Sequence, residues 1–228
     1  MTVAVKICGI TEIADAQASA EAGADFIGLV FSKSPRQVSL HAARAIVEAV
    51  SPTVRCVGVF VNEPLEFVNA VAAGCRLDAV QLQGDESPDY CARCRWPVLK
   101  GIRLDGDVAR HRLDRYDVAA FVFDTLVPGL SGGTGRRFDW SWVDGFSARP
   151  FFIAGGLDPD CVAGAVERTR PYAVDVSSGV ARSARLKDVA KVRAFVANAK
   201  SASPSRRGDR EKPFPIRELP SHFSPKFS

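Results

Sequence analysis

The sequence predicts a closed (β/α)8, or TIM, barrel: one α/β domain over residues 1–200, followed by a disordered tail over 201–228. Three observations predict it. Eight short, nearly continuous apolar runs alternate with stretches of helical apolar spacing. The runs begin at intervals of roughly 20 to 30 residues, enough for a strand and a returning helix. Polar and glycine residues gather after the runs rather than before them, as a barrel with one working rim requires.

The strands are expected at Val3–Ile10, Asp25–Phe31, Arg55–Val61, Ala79–Gly84, Pro97–Leu104, Ala119–Thr125, Pro150–Leu157 and Ala173–Val180. Unbroken apolar runs suit parallel strands buried on both faces. Helical spacing marks Ile13–Ala22, Leu40–Val50, Leu65–Ala73, Val162–Arg168 and Lys187–Ala199. The link from Leu126 to Phe138 is the longest strand-following loop and is rich in Gly. Residues 201–228 hold five prolines and no sustained apolar period, so they read as a disordered tail, dispensable for chemistry. A docking role for the tail toward an unknown partner is the second reading.

Charge and composition exclude several classes. Of the net +4, six basic residues against three acidic ones leave +3 in the tail. The body is close to neutral and lacks the basic footprint of nucleic-acid binding. No apolar run has the roughly 18 residues that a membrane span needs. A strand-like pattern starting at the N-terminus leaves no room for a signal peptide, so the cytoplasm is expected. Of six cysteines only Cys91 and Cys94 form a CxxC pair. Its place late in a helical stretch favours packing over redox work, and no second ligand pair suggests zinc.

At the carboxyl ends of the strands stand Cys8, Arg36, Asn62, Gln81 with Gln83, Arg103, Asp124, Gly155–Gly156 and Ser177–Ser178–Gly179. A barrel gathers these around one mouth. Two successive glycine-bearing ends, after strands seven and eight, let backbone N–H groups approach an anion, which points to a phosphorylated small molecule. The bland alternative is that these glycines only form tight turns. His41 and His111 fall in predicted helices and His222 in the tail, so all three read as surface residues. That leaves Cys8 and Asp124 for proton transfer. A buried packing thiol and a helix-capping carboxylate are the competing readings. Alternation puts Lys6 on the Cys8 face of strand one, where its ammonium either favours the thiolate or pairs with Asp175 of strand eight.

The segments Lys6-Ile-Cys-Gly-Ile-Thr11, Phe26-Ile-Gly-Leu-Val-Phe31, Ser34-Pro-Arg36 and Val57-Gly-Val-Phe-Val-Asn62 occur in order. Val80-Gln-Leu-Gln-Gly84, Phe123-Asp-Thr125, Gly132-Gly-Thr-Gly135, Ile153-Ala-Gly-Gly-Leu157 and Val174-Asp-Val-Ser-Ser-Gly-Val180 follow. The ordered set, over about Met1–Lys200, resembles the phosphoribosylanthranilate isomerase family of tryptophan biosynthesis. The resemblance implies an Amadori rearrangement of N-(5-phosphoribosyl)anthranilate without cofactor or metal. It implies Asp124 as general acid, Cys8 as general base and Arg36 on the anthranilate carboxylate. Gln81 would contact substrate, and Gly155, Gly156, Ser177, Ser178 and Gly179 would form the phosphate loops. The Gly132–Gly135 loop resembles the family's segment covering the site. Gln83 stands where the family usually has histidine, Ala181 where it often has an acid, and Arg182–Arg185 where a Pro/Gly turn is usual. The rival readings are another phosphate-binding barrel, such as indoleglycerol-phosphate synthase or the histidine-pathway ProFAR isomerase, or a catalytically silent binding barrel.

Overall fold

A computed structural model of the chain describes residues 2–125 and 139–202. Eight parallel strands close on themselves in sequence order. They are β1 (Ala4–Cys8), β2 (Phe26–Val30), β3 (Arg55–Phe60), β4 (Ala79–Leu82), β5 (Val98–Leu104), β6 (Ala120–Thr125), β7 (Phe151–Ile153) and β8 (Ala173–Val176). The barrel closes where β8 meets β1, with Lys6 in register with Asp175.

Six α-helices are present among the described residues: α1 (Ile13–Glu21), α2 (Leu40–Val50), α3 (Leu65–Gly74), α4 (Pro88–Arg93), α5 (Val162–Thr169) and α6 (Val189–Ser201). Their starts follow local chemistry. Ser39 caps α2 by accepting from Ala42 N, and Ser87 caps α4 just before Pro88. Asp188 caps α6 by accepting from Lys191 N. In α2 the buried positions Ala43, Ile46, Val47 and Val50 repeat at helical spacing and face the strands.

Two apolar layers result. Phe26, Val57, Ala79, Leu99, Ala120, Val122, Phe152, Ala154 and Ala173 fill the barrel interior. Phe26 meets Phe152 edge-on, with ring centroids 5.6 Å apart. The alternate strand residues, Ile7, Ile27, Val80 and Leu82 among them, join the helices in an outer layer. At the amino ends of the strands, Asp25 accepts from Val5 N at 2.8 Å and Asp78 from Cys56 N at 2.7 Å. These carboxylates tie adjacent strands together below the core.

Three expectations need correction. Strand eight stops at Val176, and Ser178–Val180 is a 3₁₀ turn rather than a strand end. The last helix begins at Val189, not Lys187, because the Asp188 side chain takes the capping position. After β5 the chain forms two 3₁₀ turns, Val108–His111 and Leu113–Arg115, in place of an α-helix. The Gly132–Gly135 loop and residues 203–228 of the expected tail lie outside the described residues. No helix among the described residues is long and apolar enough to cross a membrane.

Candidate active site

Interior residues at each strand's start fix which side chains turn inward higher up. Ala4 packs on the inner cluster, so Lys6 and Cys8 follow it inward on β1. By the same alternation Gln81 and Gln83 face inward at β4, Asp124 at β6, and Asp175 and Ser177 at β8. The expected gathering of these groups at one mouth therefore holds.

Cys8 is half-buried at the top of β1. Opposite it, β2 carries Gly28, where an added methyl would lie 2.7 Å from the Cys8 sulfur and 3.1 Å from Lys6 Nζ. The bare backbone of Gly28 thus makes room for both. Lys6 serves both partners offered by sequence: it reaches the two oxygens of Asp175 at 3.0 and 2.9 Å and acts on the Cys8 thiol as well. Both groups of this ion pair are buried. Burial, the first influence on Lys6, works to lower its pKa, but Asp175 and Cys8 carry it above the ordinary value. Burial pushes the Cys8 thiol up; Lys6 and Lys187 pull it back, while Asp175 pushes it further up.

On the far side of the mouth two amides stand beside Asp124, and Arg103 on β5 donates to Gln83 O at 3.5 Å. Gln83 Nε2 donates to Asp124 Oδ2 at 3.5 Å, and Gln81 Nε2 donates to Gln83 Oε1 at 2.7 Å. Gln81 is buried one layer deeper than the sequence reading placed it, and it acts as the support for Gln83. Its own Oε1 is buried without a hydrogen-bond partner among the described residues. A cleft of about 380 Å³ opens beside this pair, with Gln83, Arg103, His111 and Tyr116 in its wall. His111 is not the surface residue expected: its 3₁₀ turn folds it into that wall, 3.4 Å from Asp105.

Arg36 lies in the loop after β2, its guanidinium stem laid over Gly9. Gly9 adopts φ +73°, a left-handed conformation that a side chain resists, and a Cβ there would collide with Arg36 Cδ. Arg36 Nε is buried and has no hydrogen-bond partner among the described residues. A buried guanidinium donor left unmade is costly unless an anion arrives to accept it. Arg185 steadies the loop by donating to Pro35 O at 3.1 Å and Gln37 O at 3.3 Å, one on each side of Arg36. Beyond β7, Gly155 and Gly156 turn with φ +81° and +67°, and the turn after β8 carries Ser177, Ser178 and Gly179. Gly179 presses directly on Leu157 O, so the two glycine loops form one surface.

Lys187 was missed because it reads as the first residue of a helix. It stands just outside α6 and is buried. Its Nζ donates to Cys8 O at 2.6 Å and Ser177 O at 3.0 Å. The available signal was Asp188, a cap residue type that excludes its predecessor from the helix. Cys91 is buried within α4 and Cys94 is its half-buried C-cap, in keeping with packing.

Residues 5–198 match the family model described as N-(5'phosphoribosyl)anthranilate (PRA) isomerase. A relative named N-(5'-phosphoribosyl)anthranilate isomerase from Geobacter sp. (strain M21) is 50% identical over 201 residues, 87% of this chain and 98% of that one. A relative of the same name from Pseudomonas aeruginosa (strain UCBPP-PA14) is 50% identical over 197 residues, covering 85% of this chain and 93% of its own. The solved phosphoribosyl anthranilate isomerase from Thermotoga maritima superposes with a TM-score of 0.80 at 40% identity, covering 87% of this chain and 99% of that one. A solved phosphoribosyl anthranilate isomerase in complex with reduced 1-(o-carboxyphenylamino)-1-deoxyribulose 5-phosphate gives a TM-score of 0.77 at 39% identity, covering the same shares. With nearly the whole barrel matched in sequence and in fold, the chain belongs to the N-(5'-phosphoribosyl)anthranilate isomerase family.

Proposed function

We propose that Asp124 and Cys8 divide the acid and base work of this family's reaction in the present chain. The chain is an aldose–ketose isomerase of tryptophan biosynthesis. Its reaction converts N-(5-phosphoribosyl)anthranilate to 1-(2-carboxyphenylamino)-1-deoxyribulose 5-phosphate. Asp124 gives a proton to the furanose ring oxygen, the C1–O bond breaks, and an iminium forms at C1. That cation acidifies the C2 proton, which the Cys8 thiolate takes, leaving an enolamine. Proton return to C1 and loss of the hydroxyl proton at C2 give the ketone. Every bond change is an internal shift of protons and electrons, so the scheme requires no redox cofactor.

The assignment is carried by one observation: Cys8 and Asp124 turn inward from β1 and β6 at the same barrel mouth. Arg36, with its unpartnered buried Nε, supplies a fork for the anthranilate carboxylate. The surface shared by Gly155–Gly156 and Ser177–Gly179 supplies backbone donors for the phosphate. We place Gln81 as the indirect member of the substrate set, acting through Gln83. Residues 1–200 form the catalytic domain in this reading, the tail is dispensable for turnover, and the enzyme works in the cytoplasm.

Loss of phosphoribosylanthranilate fluorescence measures turnover directly. Cys8→Ala and Asp124→Asn should each lower kcat by at least about 100-fold, the usual scale for a positioned acid or base. Near-normal turnover in either variant defeats its role. Removal of residues 203–228 should leave kcat unchanged, and a large loss would assign the tail to the catalytic unit.

A further inference from the structure

We propose that Lys187 is a positioning residue for the isomerisation: its ammonium ties the Cys8 strand end to the Ser177 loop and holds a positive charge near the Cys8 thiol. The proposal rests on the reading of Cys8 as the base.

The backbone at Lys187 is pinned from several directions. Lys187 N donates to the buried Asp15 Oδ2 at 2.8 Å, and Ala181 pairs with Lys187 in an isolated antiparallel bridge. Thr11 Oγ1 donates to Arg185 O at 2.6 Å, and Asp188 N to Val180 O at 2.9 Å. From this fixed base the side chain runs back into the mouth and ends between two carbonyls, those of Cys8 and Ser177. One ammonium therefore sets the spacing between the proposed base and the proposed phosphate loop.

Its charge differs from that of its neighbour. Lys6 is gripped by both oxygens of Asp175. The Lys187 ammonium contacts carbonyl oxygens, with no carboxylate in contact among the described residues. The charged groups acting around Cys8 and Lys187 are Lys6 on β1, Asp175 on β8, Arg36 after β2 and Asp15 on α1. Burial pulls the Lys187 ammonium down to about 8, with Cys8, Asp175 and Asp15 opposing and Arg36 assisting. A buried cation held at that cost suits a functional site better than a stability device. Its help to the thiolate should fade above about pH 8, as the ammonium loses its proton.

Iodoacetamide alkylation of the Cys8 peptide, followed against pH by mass spectrometry, reads the thiolate without substrate. Lys187→Met should move the midpoint up by about one pH unit, which is about tenfold less thiolate at neutral pH. Lys187→Arg should keep the midpoint near wild type. Lys187→Gln, which retains a donor without charge, should behave like Lys187→Met and stands in for it should the methionine variant fail to fold. In the turnover assay kcat should fall more than KM rises for Lys187→Gln. An unchanged Cys8 midpoint in both neutral variants overturns the proposal. Should Cys8→Ala instead turn over normally, the base assignment fails, whereas the midpoint shift still reports the influence of Lys187 on the sulfur.

Discussion

The two sides of the barrel mouth are built from different materials. Around Cys8 the β8–β1 side holds buried Lys6, Asp175 and Lys187: Lys6 pairs with Asp175 at 2.9 and 3.0 Å, and Lys187 donates to the carbonyls of Cys8 and Ser177 at 2.6 and 3.0 Å. Around Asp124 the β4–β6 side brings two linked amides, one reaching the carboxylate at 3.5 Å, with Arg103 donating to Gln83 O from β5. A thiol buried among apolar strands needs charge to become a base.

The sharpest way to break this contrast is Lys6→Met. It leaves Asp175 buried and unpaired, so unfolding by urea should show a loss of about 3–5 kcal/mol. A loss near zero would mean that Asp175 is neutral or hydrated and that the β8–β1 side is not truly ionic. Next in size is Arg36→Met, which should raise KM for phosphoribosylanthranilate by about tenfold or more, the worth of a charge-assisted contact, with kcat less affected. An unaltered KM would remove the carboxylate fork from the site.

Gln83→Leu tests the Asp124 side. Losing one amide contact to Asp124 is worth about 1 kcal/mol, so kcat should fall by about fivefold. A fall beyond 100-fold would show that the amide takes part in proton transfer. Smallest is Arg185→Ala, which unties two exposed contacts to the Arg36 loop and should raise KM by no more than about threefold. An equal effect on kcat would mean that the clasp supports the whole mouth rather than that loop alone.

Much of this was written in the sequence for identifiable reasons. The strands were legible because parallel strands buried on both faces leave continuous apolar runs, and alternation then sent Lys6 and Cys8 inward together. That Lys6 would grip Asp175 and act on Cys8 at the same time was not legible. It depends on the closure of β8 against β1, a contact between residues 169 positions apart. The burial of Gln81 was not legible, because spacing along a strand gives a face but not a depth. His111 was misplaced because its segment forms a 3₁₀ turn that folds inward over the β5 end. Lys187 vanished into the periodicity of the helix it precedes, although Asp188 marked the boundary.

Gly28 carries a consequence for how this barrel tolerates change. Its strand contributes to the reactive corner only by omission, since a single methyl there would intrude 2.7 Å from the sulfur. A lineage drifting to alanine at that position would keep each reactive side chain and still lose the space they share. Vulnerability of this kind is invisible to any inventory of polar groups, and it makes an unadorned stretch of main chain as constrained as the thiol it faces.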